Sequence, residues 1–365
     1  MKIIHCADLH LDSKLSANLS KEKARERRAE LLDTFIRLCD LAEEDGTGHI
    51  IIAGDLFDVK NVSSHAKNTV TGIMERHPGI DFYYLKGNHD NAGEEDFPPN
   101  LHLFSQEWKY YRIPLNKERD VVIAGAELSD ENCESIYDDL SLRVEDINIV
   151  TLHGQVSDYP SGGRPEIINL SGLRNRSIDY LALGHIHEHK TGRLPSRGEF
   201  VYPGCLEGRG FDECGEHGFE LIDIDERELT LSHRFVPFAK RKLLTLFVDV
   251  SGAMTTLEIC DLVKASIEDS GAGSGDLLKI CLTGRVDVEC EKDTEQIRQR
   301  FEREFYFLKV CDETSLAVDY ESFMRDTSLK GEFVRILKSD RNLSEERRSA
   351  IIRCGIRALC GEEWK

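Results

Sequence analysis

Long apolar runs are missing from this 365-residue chain. No uninterrupted stretch approaches the ~20 residues a membrane-spanning helix needs, so no such helix is expected. Paired cysteines are missing too. The 11 cysteines are odd in number, scattered, and never spaced as CxxC. That pattern argues against a disulfide framework or a zinc knuckle, and for reduced thiols in a cytoplasm. The opening "MKIIHCADLHLDS" moves straight into strand-like sequence carrying an acid, unlike a secretion signal. There is no internal repeat and no low-complexity tract. Positive charge is short as well: 47 Lys and Arg stand against 67 Asp and Glu, a net charge of -20. Duplex binding is driven largely by neutralising phosphates, so this balance sits badly with a nucleic-acid partner.

What is present reads as a globular protein. Hydrophobic residues make up 40% and charged residues 31%, and the length suffices for two domains with ample core. Through the first two thirds, short β-rich runs alternate with polar or helical stretches. "KIIHCA", "HIIIA", "FYYL", "VVIAGA", "INIVTL" and "YLAL" are strand candidates, followed by "EFVY", "GFELIDI" and "LTLSHRFV". Between the first two, Leu31, Leu32, Phe35, Leu38, Cys39 and Ala42 recur at helical spacing. So many strands exceed the needs of one parallel sheet, and two stacked sheets with helices outside would accommodate them. At "VPFAKRKLL" (Val236 to Leu244) a proline and a basic cluster interrupt the pattern. We expect a domain over residues 1–240, a small βαβαβ domain over 241–325, and a helical tail over 326–365.

The chemistry sits at strand ends. "YLALGHIHEHK" places His185 and His187 directly after an apolar run; in extended chain, residues two apart point to one side. Asp8 and His10 follow "KIIHCA". Asp55 and Asp58 follow "HIIIA". Asn88, His89 and Asp90 follow "FYYLK", and His153 follows "INIVTL". Open α/β folds bind ligands outside the carboxyl ends of their strands. Carboxylate, imidazole and amide oxygen without thiolate suit Mn²⁺, Fe²⁺ or Zn²⁺. The ligands are too many for one ion. Two ions about 3.5–4 Å apart, bridged by a carboxylate, form the arrangement used for in-line attack on phosphorus.

Asp8-x-His10, Gly54-Asp55-x-x-Asp58, Gly87-Asn88-His89-Asp90, His153-Gly154 and Gly184-His185-x-His187 together resemble the calcineurin-like metallophosphoesterases, over about residues 1–235. The resemblance implies a four-layer α/β sandwich of two mixed β-sheets flanked by helices. It also implies one metal held by Asp8, His10, Asp55 and His187, and a second by Asp55, Asn88, His153 and His185. His89 would protonate the leaving oxygen or stabilise its charge, and Asp58 would orient it. "IIHCADLHLDS", "YLALGHIHEHK" and "YPGCLEGRGFDECGEHGFELIDI" resemble the SbcD-type DNA repair exonucleases. That branch implies a cytoplasmic, Mn²⁺-preferring DNA exo/endonuclease with a small C-terminal α/β cap domain. It also implies work beside an SbcC-like coiled-coil ATPase, and is compatible with a homodimer.

Other readings stay open. The acidic balance favours a phosphodiesterase acting on a nucleotide or other small ester. A non-catalytic scaffold on the same fold would be expected to lose ligands, which this chain keeps. Basic clusters at Arg25–Arg28, Lys109–Arg119, Arg174–Arg176 and Lys240–Lys242 either line a groove or are solvated faces. Trp108, Tyr110 and Tyr111 either stack bases or pack in the core. His5 reads as a packed strand residue, and His189 and His217 as solvent-exposed loop residues, with an approach to the site as the alternative. In the tail, Ser344 is a good N-cap, and Ile351, Ile352, Ile356, Leu359 and Cys360 form an apolar stripe. That stripe either packs on its own chain or docks on the ATPase.

Overall fold

The computed structural model describes residues 1–15, 19–58, 64–87, 97–287, 290–317, 325–340 and 343–359. The chain divides into two compact units, Met1–Leu243 and Leu244–Lys365.

The first unit opens with β1 (Lys2–Cys6), α1 (Lys21–Glu44), β2 (His49–Ala53), α2 (Ser64–Arg76), β3 (Asp81–Leu85) and β4 (Leu101–Leu103). Next come β5 (Lys109–Pro114), β6 (Asp120–Gly125), β7 (Ile147–His153), the short pair β8 (Gln155–Ser157) and β9 (Ile167–Asn169), β10 (Tyr180–Gly184), β11 (Lys190–Arg193) and β12 (Glu199–Tyr202). Finally β13 (Gly218–Asp225) and β14 (Thr230–Pro237) return to the first strand. One sheet has the order β14-β13-β1-β2-β3-β4 and the other β11-β12-β10-β7-β6-β5. Both are mixed: β1 to β4 run parallel with β13 antiparallel on β1, and β6, β7, β10 and β12 run parallel between antiparallel β5 and β11.

The apolar runs are strands covered on both faces, which is why they lack polar alternation. In β2, Ile50 and Ile52 pack under the helices with Phe35, Leu38, Ile73 and Met74. Ile51 points the other way, into a core between the sheets shared with Ile123, Ile149 and Ala182. In β10, Leu181 and Leu183 face outward while Tyr180 and Ala182 face the inter-sheet core. The two outer covers differ. Two α-helices cover the first sheet, and α1 begins where Ser20 accepts the Lys23 N–H. The 3₁₀ turns Ile136–Asp139 and Leu170–Leu173, with Ile168 of β9, cover the second.

The second unit contains β15 (Leu243–Asp249), α3 (Thr256–Ser270), β16 (Leu277–Thr283), α4 (Thr294–Phe301) and β17 (Phe307–Asp312), its three strands ordered as β15-β16-β17. Its core joins Val248, Ile259, Val263, Ile280, Leu282, Ile297 and Phe301. Thr255 and Glu258 close a capping box at the start of α3, and Gly271 ends the helix in the left-handed region. The tail forms α5 (Leu329–Ser339) and α6 (Glu345–Leu359), with the Ser344 hydroxyl accepting the Arg347 N–H. Ile352 and Ile356 of the apolar stripe are buried, while Leu359 is partly exposed and Cys360 lies outside the described residues. The Phe333 ring lies so close to Gly355 that a Cβ there would meet it at 2.1 Å. Among the described residues every cysteine is free, and no helix is long and apolar enough to cross a membrane.

Candidate metal centre

The parallel strands of the two sheets end together. Gly54 and Gly184 make this possible: a Cβ on Gly184 would sit 1.9 Å from the Ala53 carbonyl oxygen, and one on Gly54 would sit 2.0 Å from His153 Nδ1. Only a residue without a side chain lets the backbones approach this closely. Asp8 after β1, Asp55 after β2, His153 at the end of β7 and His185 after β10 therefore gather at one edge.

The loops there are bent against ordinary preference. Asp8, His10, Asp55 and His185 all have positive φ, at 52°, 47°, 48° and 96°. Backbone bonds hold the first loops in register, with the Asp8 N–H donating to Gly54 O and the His10 N–H to Asp55 O. The His185 N–H reaches both Asp8 carboxylate oxygens at 3.0 Å. Because His185 is not extended, the two histidines of "GHIH" do not converge as strand geometry suggested. His185 packs edge-on to His153, with ring centroids 5.4 Å apart, and His187 packs edge-on to His10 at 4.9 Å.

Ligand-type atoms of Asp8, His10 and His187 lie within 4.8 Å of one another, as do those of Asp8, Asp55 and His153. Asp55 Oδ2 stands between the two groups, 3.8 Å from His10 Nε2 and 3.5 Å from His153 Nε2. Asn88 and His89 lie outside the described residues. Asp58 does not reach the cluster with its own carboxylate; its Oδ1 lies 3.2 Å from His10 Nδ1 and 3.0 Å from Arg209 Nη1.

The nitrogens suit cations. His10 Nε2 and His187 Nε2 face each other at 3.1 Å. His187 Nδ1 is 2.7 Å from Glu213 Oε1. A carboxylate only accepts, so His187 Nδ1 donates outward to Glu213, while His10 Nδ1 lies 3.2 Å from Asp58 Oδ1; both rings turn Nε2 inward. At this distance the two Nε2 atoms either share a proton or flank a cation. His153 repeats the pattern: its Nδ1 donates to Ala53 O at 3.0 Å, and its buried Nε2 has no hydrogen-bond partner among the described residues.

Electrostatics agree. Burial, reinforced by the charge of Asp55, raises the Asp8 pKa to about 8. Burial lowers His10, and lowers His153 to about 4, keeping both neutral as ligands require. Burial works against charge on His187 and on Asp58, yet their partners prevail. Glu213 and Asp8 hold His187 above its usual value. Hydrogen bonds from His10 and Ser13, with Arg209 nearby, bring Asp58 down to about 2. A cation beside Asp8 would reverse the pressure that burial puts on it.

Sequence reasoning did not assign Glu213 and Arg209 to this site. The only signal was their place in "GRGFDE", just after the last histidines. His185, His187, Glu213 and the buried His217 border a groove of about 720 Å³, together with Glu188, His189, Asp212, Glu216 and Phe235. Several members of the candidate basic clusters are engaged in ion pairs. Arg27 is buried against Glu30 and Glu207, Arg241 binds Glu30, Arg112 binds Asp146, and Arg176 binds Asp138. Trp108 donates to Ile136 O and Tyr111 to Leu103 O, each packed on a hydrophobic core.

A family model described as calcineurin-like phosphoesterase matches residues 1–189. This chain belongs to that family. Its members are metal-dependent hydrolases with a dinuclear centre, which the clustered ligand atoms suit. The uncharacterized metallophosphoesterase YhaO of Bacillus subtilis is 28% identical over 247 residues, covering 63% of this chain and 59% of its own length. The DNA double-strand break repair protein Mre11 of Methanopyrus kandleri is 25% identical over 371 residues, covering 89% of this chain and 76% of its own. A solved dimetal phosphatase from Danio rerio is 13% identical with a TM-score of 0.40, covering 61% of this chain and 92% of that one.

Proposed function

We propose that this phosphoesterase is a dinuclear-metal DNA exo/endonuclease. The observation that carries the chemistry is the facing pair His10 Nε2 and His187 Nε2 beside the shared carboxylates of Asp8 and Asp55. The choice of DNA is supported by the Mre11 relatives, one of which aligns over most of this chain. Asp8, His10, Asp55 and His187 would hold one ion, and Asp55, Asn88, His153 and His185 the other. Mn²⁺ suits this mixed oxygen and imidazole set, with Fe²⁺ or Zn²⁺ as substitutes. When bound, the ions supply Lewis acidity and lower the pKa of water at the site. Asp55 lies between the two groups, and the outer hydrogen bonds of His153 and His187 orient their rings, with Asp58 beside the outer nitrogen of His10. His89 donates the proton that the departing oxygen needs. Asp58, bonded to His10 here, positions rather than reacts.

Residues 241–325 act as a cap and 326–365 as the segment meeting an SbcC-like ATPase in the cytoplasm. With Ile352 and Ile356 buried, Leu329, Ile336 and Leu359 are exposed apolar residues among the described part of the tail. Such a partner would supply the positive surface that a chain at -20 lacks.

A second reading, hydrolysis of a nucleotide or other small phosphoester, draws support from the net charge of -20 and from arginines already paired with carboxylates, which leave less positive charge for a long polyanion. One assay separates the two: hydrolysis of defined DNA beside a generic phosphodiester, with and without Mn²⁺. Mn²⁺-dependent cleavage of both substrates is the expected result. Turnover of the small ester alone, with the ATPase partner also present, overturns the nuclease reading.

A further inference from the structure

Two imidazoles that must aim their inner nitrogens at one point need their outer nitrogens held. His10 Nδ1 meets Asp58 Oδ1 at 3.2 Å, and His187 Nδ1 meets Glu213 Oε1 at 2.7 Å. Those two carboxylates come from opposite ends of the first unit in sequence, and one side chain joins them. Arg209 Nη1 binds Asp58 Oδ1 at 3.0 Å, while Nη2 and Nε bind Glu213 Oε1 at 2.7 and 3.2 Å. The Arg209 backbone N–H adds a bond to Glu213 Oε2 at 2.8 Å. The result is a closed ring: His10, Asp58, Arg209, Glu213, His187, and back across the 3.1 Å gap between the two Nε2 atoms.

We infer that Arg209 is a positioning residue for the metal centre, a single clamp that sets the angle between the His10 and His187 rings. The inference rests on the metal reading above and deepens it. A planar guanidinium presents donors in a fixed fork, so pulling on one carboxylate constrains the other. A lysine ammonium is a point charge on a flexible stem and cannot impose that geometry. Arg209 is largely buried, as is Glu213, so water does not compete strongly for these bonds.

The test uses the full-length chain and two readouts. In Mn²⁺ titration calorimetry, wild type is expected to take up two ions. Arg209→Met should keep one and bind the other about 10–100-fold more weakly, the usual cost of losing a group that orients a ligand. In the metal-free protein, ¹⁵N spectra should find His187 Nδ1 protonated and a single proton shared between the two facing Nε2 atoms, and Arg209→Met should average His10 and His187 over their tautomers. A residue that merely supports the fold would move neither signal. Arg209→Lys keeps the charge and guards against loss of folding; it is expected to behave like Arg209→Met. Wild-type affinity in either variant, with two ions bound by the wild type, overturns the clamp alone. A wild type that binds no ion overturns the metal reading and the inference with it.

Discussion

All 13 histidines of the chain precede Leu244, and the second unit has none. Among the described residues, every non-glycine residue with positive φ also lies in the first unit. In the second unit only glycines take that conformation, at Gly252, Gly271 and Gly284. Among its described residues the second unit follows local rules, with a capping box, a glycine stop and alternating core residues. The first departs from them where its carboxylates and imidazoles gather. Left-handed backbone costs a residue with a side chain roughly 1–2 kcal/mol. Such departures collect at sites where geometry matters more than local stability. One part of this protein is built to pack, and the other to hold a destabilising arrangement of charges in place.

The comparison is broken most directly at Asp55. Asp55→Asn should abolish uptake of both ions and, with it, hydrolysis, because its carboxylate lies between the two ligand groups. Metal analysis finding two ions at full occupancy in the variant removes Asp55 from its bridging role. His89→Ala should be gentler. It should retain both ions yet lose about 10²–10⁴-fold in turnover, the usual worth of a general acid. Loss of metal instead would make His89 a ligand.

A smaller effect separates the units by pH. Burial holds His5 neutral, with its pKa lowered to about 3, while Tyr180 OH sits 2.9 Å from Nδ1. The unfolded chain binds a proton near pH 6.5, which folded His5 refuses, so folding excludes that proton. The contribution is complete above pH 6.5 and is lost as pH falls towards 3, by at most about 1.4 kcal/mol per pH unit. His5→Asn should be less stable than wild type at pH 7, and the gap should narrow on acidification in urea unfolding. A gap that is constant from pH 7 to 4 means His5 is not held neutral. The smallest change belongs to the second unit. Thr255→Ala removes one arm of the capping box and should cost about 1 kcal/mol, with Mn²⁺ uptake untouched. Hydrogen exchange should find the loosening confined to the second unit, and weakened ion binding would break the division drawn here.

Much of this was open to sequence reasoning because it is local. An apolar run that gives way at once to Asp or His marks a buried strand and a turn, and β1, β2, β7 and β10 follow that pattern, with a glycine beside the ligand in the last three. Helical spacing from Leu31 to Ala42 and the Thr255–Glu258 box are equally local, since residues three or four apart are neighbours on a helix. The motif series pointed to the family for the same reason.

Tertiary structure decided what depends on residues far apart in the chain. His10 and His187 are 177 positions apart and face each other only because the parallel strands of both sheets end at one edge. Arg209 reaches Asp58 across 151 positions, a link no spacing rule reveals. Strand geometry aimed His185 and His187 at one point, but the positive φ of His185 turns them to different neighbours. The basic clusters looked available for phosphate until Arg27, Arg112 and Arg241 met their carboxylates. The physical reason is common to all of these. Side-chain type and spacing set what a segment can do, whereas burial, ring tautomer and ion pairing depend on what the folded chain brings within a few ångströms.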